Sequence, residues 1–388
     1  MSRPVLAALA AGLLATAGTA SAEPIRVGML LTLSGPPAAL GQQARDGFML
    51  AMDDLGGELG GVETEVLVED IELRPDVAQT KARALIERDA VDVVVGTIFS
   101  NMLQAIFKPV IESDRVLLSP NAGPSTFAGR NCHPHFFAVS YQNDQNHEVL
   151  GRYAEDEGMA SVFLLAPNYQ AGRDSLAGFK RHYTGEITDE VYVPLGHQDF
   201  SAEIARIAAA DPEALFTFMP GGMGVRLVKQ FRQAGLADDV TFLSAFTVDE
   251  TTLPAQGAAA RGFFGGGAWA PDFDDDASRA FVAAFDERYG YIPGVYAMFG
   301  YDTAMLLDSA VAAVGGDLAD TDAFAAAVAE ADFTSLRGDF RFNNNHFPVQ
   351  DFYLLEVEER ANGRFQTTIA ERVFEDYADA YHADCPME

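Results

Sequence analysis

The motif of this chain that comes nearest to a metal site is Cys132-His-Pro-His135. A zinc site needs a second pair of ligands at similar spacing, and none accompanies this pair. The sequence also lacks the motifs of serine hydrolases, phosphate-binding P-loops and zinc metalloproteases. Pro220-Gly-Gly-Met-Gly224 has small residues but no basic residue for a phosphate. We therefore expect two ordinary turns here, and a protein that is not an enzyme and holds neither metal nor cofactor.

A strand, a turn and a helix follow one another near the start of the chain. The apolar run from Val27 to Leu33 predicts a buried strand, and Ser34-Gly35-Pro36-Pro37 is a turn signal. Helical periodicity then begins, with apolar residues three and four positions apart: Leu40, Ala44, Phe48, Ala51, Met52 and Leu55. Such a unit presents backbone N–H groups at the carboxyl edge of a sheet, so we expect a ligand there.

The segment from Met1 to Ala22 has the pattern of a secretory signal peptide. It carries one early positive charge at Arg3, an apolar stretch, and small residues at Ala20-Ser21-Ala22. The apolar stretch is shorter than the roughly 20 residues that a membrane-spanning helix needs. We expect cleavage after Ala22 and an exported protein without a membrane anchor.

Composition narrows the possible partners. The chain has 26 basic and 57 acidic residues, a net charge of −31, which argues against binding to nucleic acid or to an anionic membrane surface. Cleavage would leave 366 of the 388 residues, enough for two domains.

Cys132 and Cys385 are the two cysteines. In an oxidising compartment such a pair can form a disulfide, although the sequence alone leaves open whether the two are close.

Short apolar runs alternate with helical segments along most of the chain, as in Val91-Asp-Val-Val-Val95 before a helix over 102–112. Unbroken apolar runs suit parallel strands that are covered on both faces. The series begins again near residue 160, and one long helical region is expected over 281–313. The pattern predicts an α/β protein with two doubly wound lobes.

Seven motifs, in order, resemble those of one protein family. They are Val27-Gly-Met-Leu-Leu-Thr-Leu-Ser-Gly-Pro-Pro-Ala-Ala-Leu-Gly41, Val95-Gly-Thr-Ile-Phe-Ser100, Leu117-Leu-Ser-Pro-Asn-Ala-Gly123, Ala166-Pro-Asn-Tyr-Gln-Ala-Gly172, Gly178-Phe-Lys180, Phe231-Arg-Gln-Ala-Gly-Leu236 and Tyr296-Ala-Met-Phe-Gly-Tyr-Asp302. The chain resembles the periplasmic binding proteins of the Leu/Ile/Val type, the solute receptors of bacterial ABC importers. The resemblance implies two α/β lobes joined by three hinge crossings. It places residues 23–141 and 271–345 in the N-terminal lobe, 142–270 and 346–370 in the C-terminal lobe, and 371–388 in a tail.

The resemblance also implies how a ligand is held. Members of this family bind a carboxylate through a hydroxyl group and backbone N–H groups of the first lobe, and the matching positions are Ser100 and the turn Asn121-Ala122-Gly123. A helix N-terminus favours an anion without a buried cation. Without the resemblance, Ser100 would be a plain helix cap and the turn an ordinary turn.

The kind of ligand depends on residues of the second lobe. Amino-acid receptors of this family hold the ammonium group with acidic side chains, and the matching positions here are Asn143 and Phe246, with Asp144 and Asp249 nearby. An apolar slot with one anion-binding end suits an aromatic acid. Its expected walls are Leu40, Tyr169, Phe246 and Met298.

The sequence thus predicts a periplasmic, monomeric solute receptor that passes a small carboxylate to the permease subunits of an ABC transporter. The stretches Gln142-Asn-Asp-Gln-Asn-His147, Ala166-Pro-Asn-Tyr-Gln-Ala-Gly172 and Pro220-Gly-Gly-Met-Gly224 also resemble those of relatives that bind aromatic acids such as hydroxybenzoates. An aromatic acid is the expected ligand, and a branched-chain amino acid is the alternative. A receptor that signals to a membrane sensor would share the same two-lobe design, and the sequence does not separate these outputs.

Overall fold

The computed structural model describes residues 23–387, so the expected signal peptide over 1–22 lies outside the described residues. The first lobe begins with alternating strands and helices. These elements are β1 (Ile25–Leu31), α1 (Ala38–Asp54), β2 (Glu58–Leu59), β3 (Val62–Asp70), α2 (Pro75–Glu87), β4 (Val93–Gly96), α3 (Ser100–Ile111), β5 (Val116–Ser119), α4 (Ser125–Ala128) and β6 (Phe136–Ala138).

The chain then builds a second lobe and returns to the first. The second lobe contains α5 (Gln145–Asp156), β7 (Ser161–Pro167), α6 (Gln170–His182), β8 (Glu186–Val193), α7 (Ser201–Ala210), β9 (Ala214–Thr217), α8 (Gly222–Gln233), β10 (Thr241–Ser244), α9 (Leu253–Gln256) and β11 (Phe264–Gly267). The remaining elements are α10 (Asp276–Tyr289), α11 (Val295–Ala313), α12 (Thr321–Glu330), β12 (Arg341–Phe342), β13 (Pro348–Glu359) and β14 (Phe365–Tyr377).

Each lobe is built on one sheet. The first sheet has the order β2-β3-β1-β4-β5-β6, and the second has β12-β13-β11-β10-β9-β7-β8 with β14 paired to β13. In the first sheet β1 pairs in parallel with β3 and β4, β4 with β5, and β5 with β6. All residues of β4 and β5 are buried, so both faces of these strands are covered. This is the expected α/β architecture of two doubly wound lobes, and the unbroken apolar runs are its cause.

Helix α11 returns the chain to the first lobe by packing closely on α1. A Cβ atom at Gly47 would lie 1.9 Å from the carbonyl oxygen of Ala297, and one at Gly300 would lie 2.1 Å from that of Ala44. The two helices approach this closely because both contact points are glycine. The chain therefore crosses between the lobes after β6, after β11 and again before β13.

Three details differ from the sequence expectations. The helical region over 281–313 is two helices, because Gly290 takes a left-handed conformation (φ 78°) and ends α10. The strand β14 runs to Tyr377, past the expected start of the tail at 371, because it stays paired with β13 as far as Gln350. The short strand β12 lies within the range expected for the first lobe but pairs with β13 of the second sheet.

Cys132 and Cys385 form a disulfide, with their Cα atoms 5.7 Å apart. The bond joins the loop after α4 to the end of the chain, so the tail is fastened to the first lobe. Within residues 23–387 no helix is long and apolar enough to span a membrane.

Arg337 is buried where the crossings meet. Its guanidinium donates to the carbonyl oxygens of Val139 and Ser140, at 2.5 and 2.9 Å, and to Oε1 of Gln350 at 3.0 Å. Asp302 of α11 is its ion-pair partner at 3.3 Å, and both side chains are fully buried. Burial lowers the pKa of Arg337 to about 10, with Asp302 opposing this shift, so the guanidinium remains charged at neutral pH.

We predict that Arg337→Met lowers the free energy of unfolding by about 3–5 kcal/mol, because it leaves Asp302 as a buried charge without its partner. Denaturant unfolding followed by circular dichroism measures the change. The double variant Arg337→Met/Asp302→Leu should recover part of the loss, since it removes the unpaired charge as well. Equal stability of wild type and Arg337→Met would contradict this role.

Candidate functional site

A small cavity lies between the lobes, with about 20 Å³ of free space, which is room for about one water molecule. Both lobes contribute to its walls, and the lining residues are Leu40, Ile98, Phe99, Ser100, Asn121, Ala122, Tyr141, Asn143, His147, Tyr169, Ala171, Phe218, Pro220, Phe246 and Tyr296.

Seven of the nine residues expected from the sequence line this cavity: Leu40, Ser100, Asn121, Ala122, Asn143, Tyr169 and Phe246. Gly123 does not, because it packs against the first crossing, where a Cβ atom would lie 1.9 Å from the carbonyl oxygen of Tyr141. Met298 is fully buried in the core. It lies two residues after Tyr296 on α11, about 200° around the helix, so Tyr296 faces the cavity in its place.

The start of helix α3 forms one end of the cavity. Phe99 is the N-cap residue and has no side-chain capping bond. Within residues 23–387 the backbone N–H groups of Ser100 and Asn101 have no hydrogen-bond partner, whereas that of Met102 donates to the Phe99 carbonyl oxygen. Unpaired N–H groups and the helix dipole favour an anion at this point.

The turn after β5 has fewer unpaired backbone N–H groups than the sequence predicts. The N–H of Ala122 donates to the Thr97 carbonyl oxygen at 3.2 Å, and the N–H of Gly123 donates to Oδ1 of Asn143 at 3.0 Å. Both are therefore satisfied within the protein. The Asn121 side chain is fixed as well, because it donates to the Ile98 carbonyl oxygen and accepts from the Tyr141 hydroxyl.

A second helix start faces the cavity from the other lobe. Tyr169 is the N-cap residue of α6, and Ala171 in its first turn lines the cavity. Among the described residues, the N–H groups of Gln170 and Ala171 have no backbone partner. Two helix N-termini, one from each lobe, thus face the cavity, and their dipoles favour an anion there.

A buried polar network connects Ser100 to the opposite lobe. Nδ2 of Asn143 donates to Oγ of Ser100 at 3.0 Å and to Oδ2 of Asp174 at 2.8 Å. Asp174, on α6, also accepts from the hydroxyl and the N–H of Ser125, which begins α4 of the first lobe. Because Ser100 accepts from Asn143, its own hydroxyl hydrogen is free to point elsewhere.

Aromatic rings form the remaining walls in an unbroken series. The ring centroids of Phe99 and Tyr169 are 6.3 Å apart, those of Tyr169 and Phe218 6.2 Å, and those of Phe218 and Phe246 6.2 Å. Tyr141 stacks on Phe246 at 5.2 Å. These spacings are typical of attractive ring pairs, so the walls form a rigid apolar slot.

Phe246 has an unusual backbone, with φ at 60°. A bulky residue in the left-handed region costs about 1–3 kcal/mol and is found mainly at functional sites. Phe246 lies two residues after the end of β10, and its ring packs against Tyr141 and Phe218 in the cavity wall.

His147 was not among the residues expected from the sequence. Its side chain lines the cavity and is only 2% exposed. Burial lowers the pKa of its imidazole to about 3, so the ring is neutral at physiological pH. In the sequence it ends the stretch Gln142-Asn-Asp-Gln-Asn-His147, and the resemblance of that stretch to aromatic-acid receptors does not show which face of the helix is covered.

No Asp, Glu, Lys or Arg side chain is found among the described residues that line the cavity. Asp144 points elsewhere and pairs with Arg181 at 2.8 Å and with the Tyr381 hydroxyl. Burial, with Asp174 nearby, raises the pKa of Asp144 to about 7. Asp249 is bound by Thr251 through both its N–H and its hydroxyl. The two nearby acids therefore do not replace Asn143 and Phe246 as acidic lining residues.

In the motif Cys132-His-Pro-His135, the cysteine and the last histidine contact other residues of the protein. Cys132 is in the disulfide, and Nε2 of His135 lies 2.8 Å from Oδ1 of Asp322. Among residues 23–387 there is no group of three or more His, Cys, Asp or Glu side chains that could hold a metal ion.

Structures of known proteins resemble this chain over almost its full length. A solute-binding protein of an ABC transporter from R. palustris, solved with benzoate, is 30% identical with a TM-score of 0.89, covering 94% of this chain and 100% of its own. Another from R. palustris, solved with 4-hydroxybenzoate, is 26% identical with a TM-score of 0.86, covering 92% and 98%. A leucine binding protein from Thermotoga maritima, 20% identical with a TM-score of 0.78 and covering 89% and 97%, shares the fold.

Sequence comparison gives the same family. Leu/Ile/Val-binding protein homolog 6 of Brucella melitensis is 27% identical over 380 residues, which cover 94% of this chain and 95% of the relative. The family model described as periplasmic binding protein matches residues 24–364. The chain therefore belongs to the periplasmic binding protein family, as a substrate-binding protein of the Leu/Ile/Val-binding type used by ABC transporters and not as an enzyme.

Proposed function

We propose that this protein captures a small aromatic carboxylate between its lobes and delivers it, as a monomer, to the permease of an ABC importer. Family membership implies a periplasmic location for this step. The observation that carries the ligand class is the lining of the cavity, which combines two helix N-termini with aromatic walls and contains no charged side chain among the described residues.

The carboxylate would lie at the start of α3. There the hydroxyl of Ser100 and the N–H groups of Ser100 and Asn101 can all donate to its oxygens. Asn143 holds the Ser100 oxygen from behind, at 3.0 Å, so the hydroxyl hydrogen can turn toward the ligand. The aromatic ring of the ligand would lie between Tyr169 and Phe246, with Leu40 at its edge.

An amino acid is the second candidate, and one observation favours it. Oδ2 of Asp249 is buried without a hydrogen-bond partner among the described residues, and its charge acts on Tyr141 and Tyr296 of the cavity wall. Asp249 itself does not line the cavity, however. An ammonium group there would lack the direct contact that a buried charge needs.

We predict that benzoate or a hydroxybenzoate raises the melting temperature of the protein, while leucine, isoleucine and valine do not. A ligand at 100 times its dissociation constant adds about 2.7 kcal/mol to the free energy of unfolding. A thermal-shift screen of these compounds measures the effect. Stabilisation by the amino acids alone would replace the proposed ligand class with the second candidate.

We predict that Ser100→Ala weakens binding of the aromatic acid by about 1–2 kcal/mol, because it removes one hydrogen bond to a charged group. Isothermal titration calorimetry measures this change. Ser113→Ala is the matched control, since Ser113 follows the opposite end of α3, about 18 Å away, and its hydroxyl donates to the Val110 carbonyl oxygen. Equal affinities of Ser100→Ala and the wild type would remove Ser100 from the site.

A further inference from the structure

We infer that His147 determines which aromatic carboxylate the cavity prefers, by hydrogen bonding to a hydroxyl group on the ring, away from the carboxylate. This inference rests on the proposed function and deepens it, because it names the substituent that the same cavity recognises.

The surroundings of His147 leave its ring without a polar partner. Phe216, Phe218 and Phe246 surround the imidazole, with ring centroids 5.7, 5.3 and 6.1 Å away and interplanar angles between 64° and 83°. Among the described residues, neither ring nitrogen has a hydrogen-bond partner, and Nδ1 is fully buried. The one other place where a partner can stand is the cavity that the side chain lines.

Three other histidines of the chain are paired within the protein. Nε2 of His135 meets Asp322 at 2.8 Å, Nε2 of His182 meets the Tyr377 hydroxyl at 3.0 Å, and Nδ1 of His346 meets the Phe136 carbonyl oxygen at 3.2 Å. A buried polar group without a partner costs free energy. His147 therefore differs from these histidines in a way that a ligand would correct.

The chemistry of the ring selects the partner. A neutral imidazole has one N–H donor and one acceptor nitrogen, and a phenolic hydroxyl can satisfy either. The carboxylate of the ligand should bind at the start of α3, because several donors and the helix dipole favour an anion there. It should not bind beside His147, because three phenylalanine rings surround that side chain. The hydroxyl should therefore be at the meta or para position of the ring, not beside the carboxylate.

Calorimetric titration of the full mature chain with benzoate and with 2-, 3- and 4-hydroxybenzoate tests this inference. In the wild type, we expect 3- or 4-hydroxybenzoate to bind roughly tenfold more tightly than benzoate, the scale of one hydrogen bond. In His147→Phe this ratio should fall to about one. Ser100→Ala is the contrasting variant, because it should weaken all four ligands by similar factors and leave the ratio unchanged.

The outcomes separate the inference from the proposed function. If no aromatic acid binds, the proposed function fails and the inference fails with it. If the acids bind but the hydroxyl gives no preference, or if His147→Phe keeps that preference, the inference alone is overturned.

A second measurement needs no variant, in case His147→Phe does not fold. In wild-type protein with ¹⁵N-labelled histidine, 4-hydroxybenzoate or 3-hydroxybenzoate should shift the ring-nitrogen resonances of His147 away from their positions in the benzoate complex. Identical resonances in the benzoate and hydroxybenzoate complexes would overturn the inference.

Discussion

The buried guanidinium of Arg337 is the constraint on which the two-lobe arrangement depends. It joins the first crossing, through Val139 and Ser140, to the strand of the third crossing, through Gln350. Its charge is matched by Asp302 of α11. One planar group with five donors can hold three chain segments in a fixed relation, which a lysine could not do. The cavity lies beside this junction, since its lining residue Tyr141 directly follows Ser140, and Asn143 comes two residues later.

The cavity, too, has few charges: no charged side chain is found among its described lining residues. A protein with a net charge of −31 must bind its proposed anion without help from its overall field. Two helix N-termini supply local dipoles instead, and they belong to different lobes. Such donors would bind an anion in a closed cleft and would be hydrated again in an open one. A buried arginine in the cavity would bind more strongly but would oppose release.

The sequence predicts the fold because the relevant signals are local. Unbroken apolar runs and the Ser34 to Pro37 turn determine strands and helix starts, and Ser100 lies at such a start. Gly123 and Met298 were misplaced because their contacts depend on distant segments: the carbonyl oxygen of Tyr141 fills the space beside Gly123, and the rotation of α11 decides between Met298 and Tyr296. His147 was missed for the same reason, since its surroundings come from β9 and the segments after β9 and β10.

In the proposed function, the positions of the polar groups would couple ligand binding to lobe closure. Ser100 belongs to the first lobe, whereas Tyr169 and His147 belong to the second. A ligand favours the closed form only by the amount that it binds that form more tightly than the open one. A compound that contacts the first lobe alone would bind both forms equally and leave the lobes open. Asp174 joins Asn143 to Ser125 across the cleft, so these hydrogen bonds also hold the two lobes together in the arrangement seen here. In the proposed function, a ligand that reaches both walls would therefore add to contacts that the lobes already make with each other.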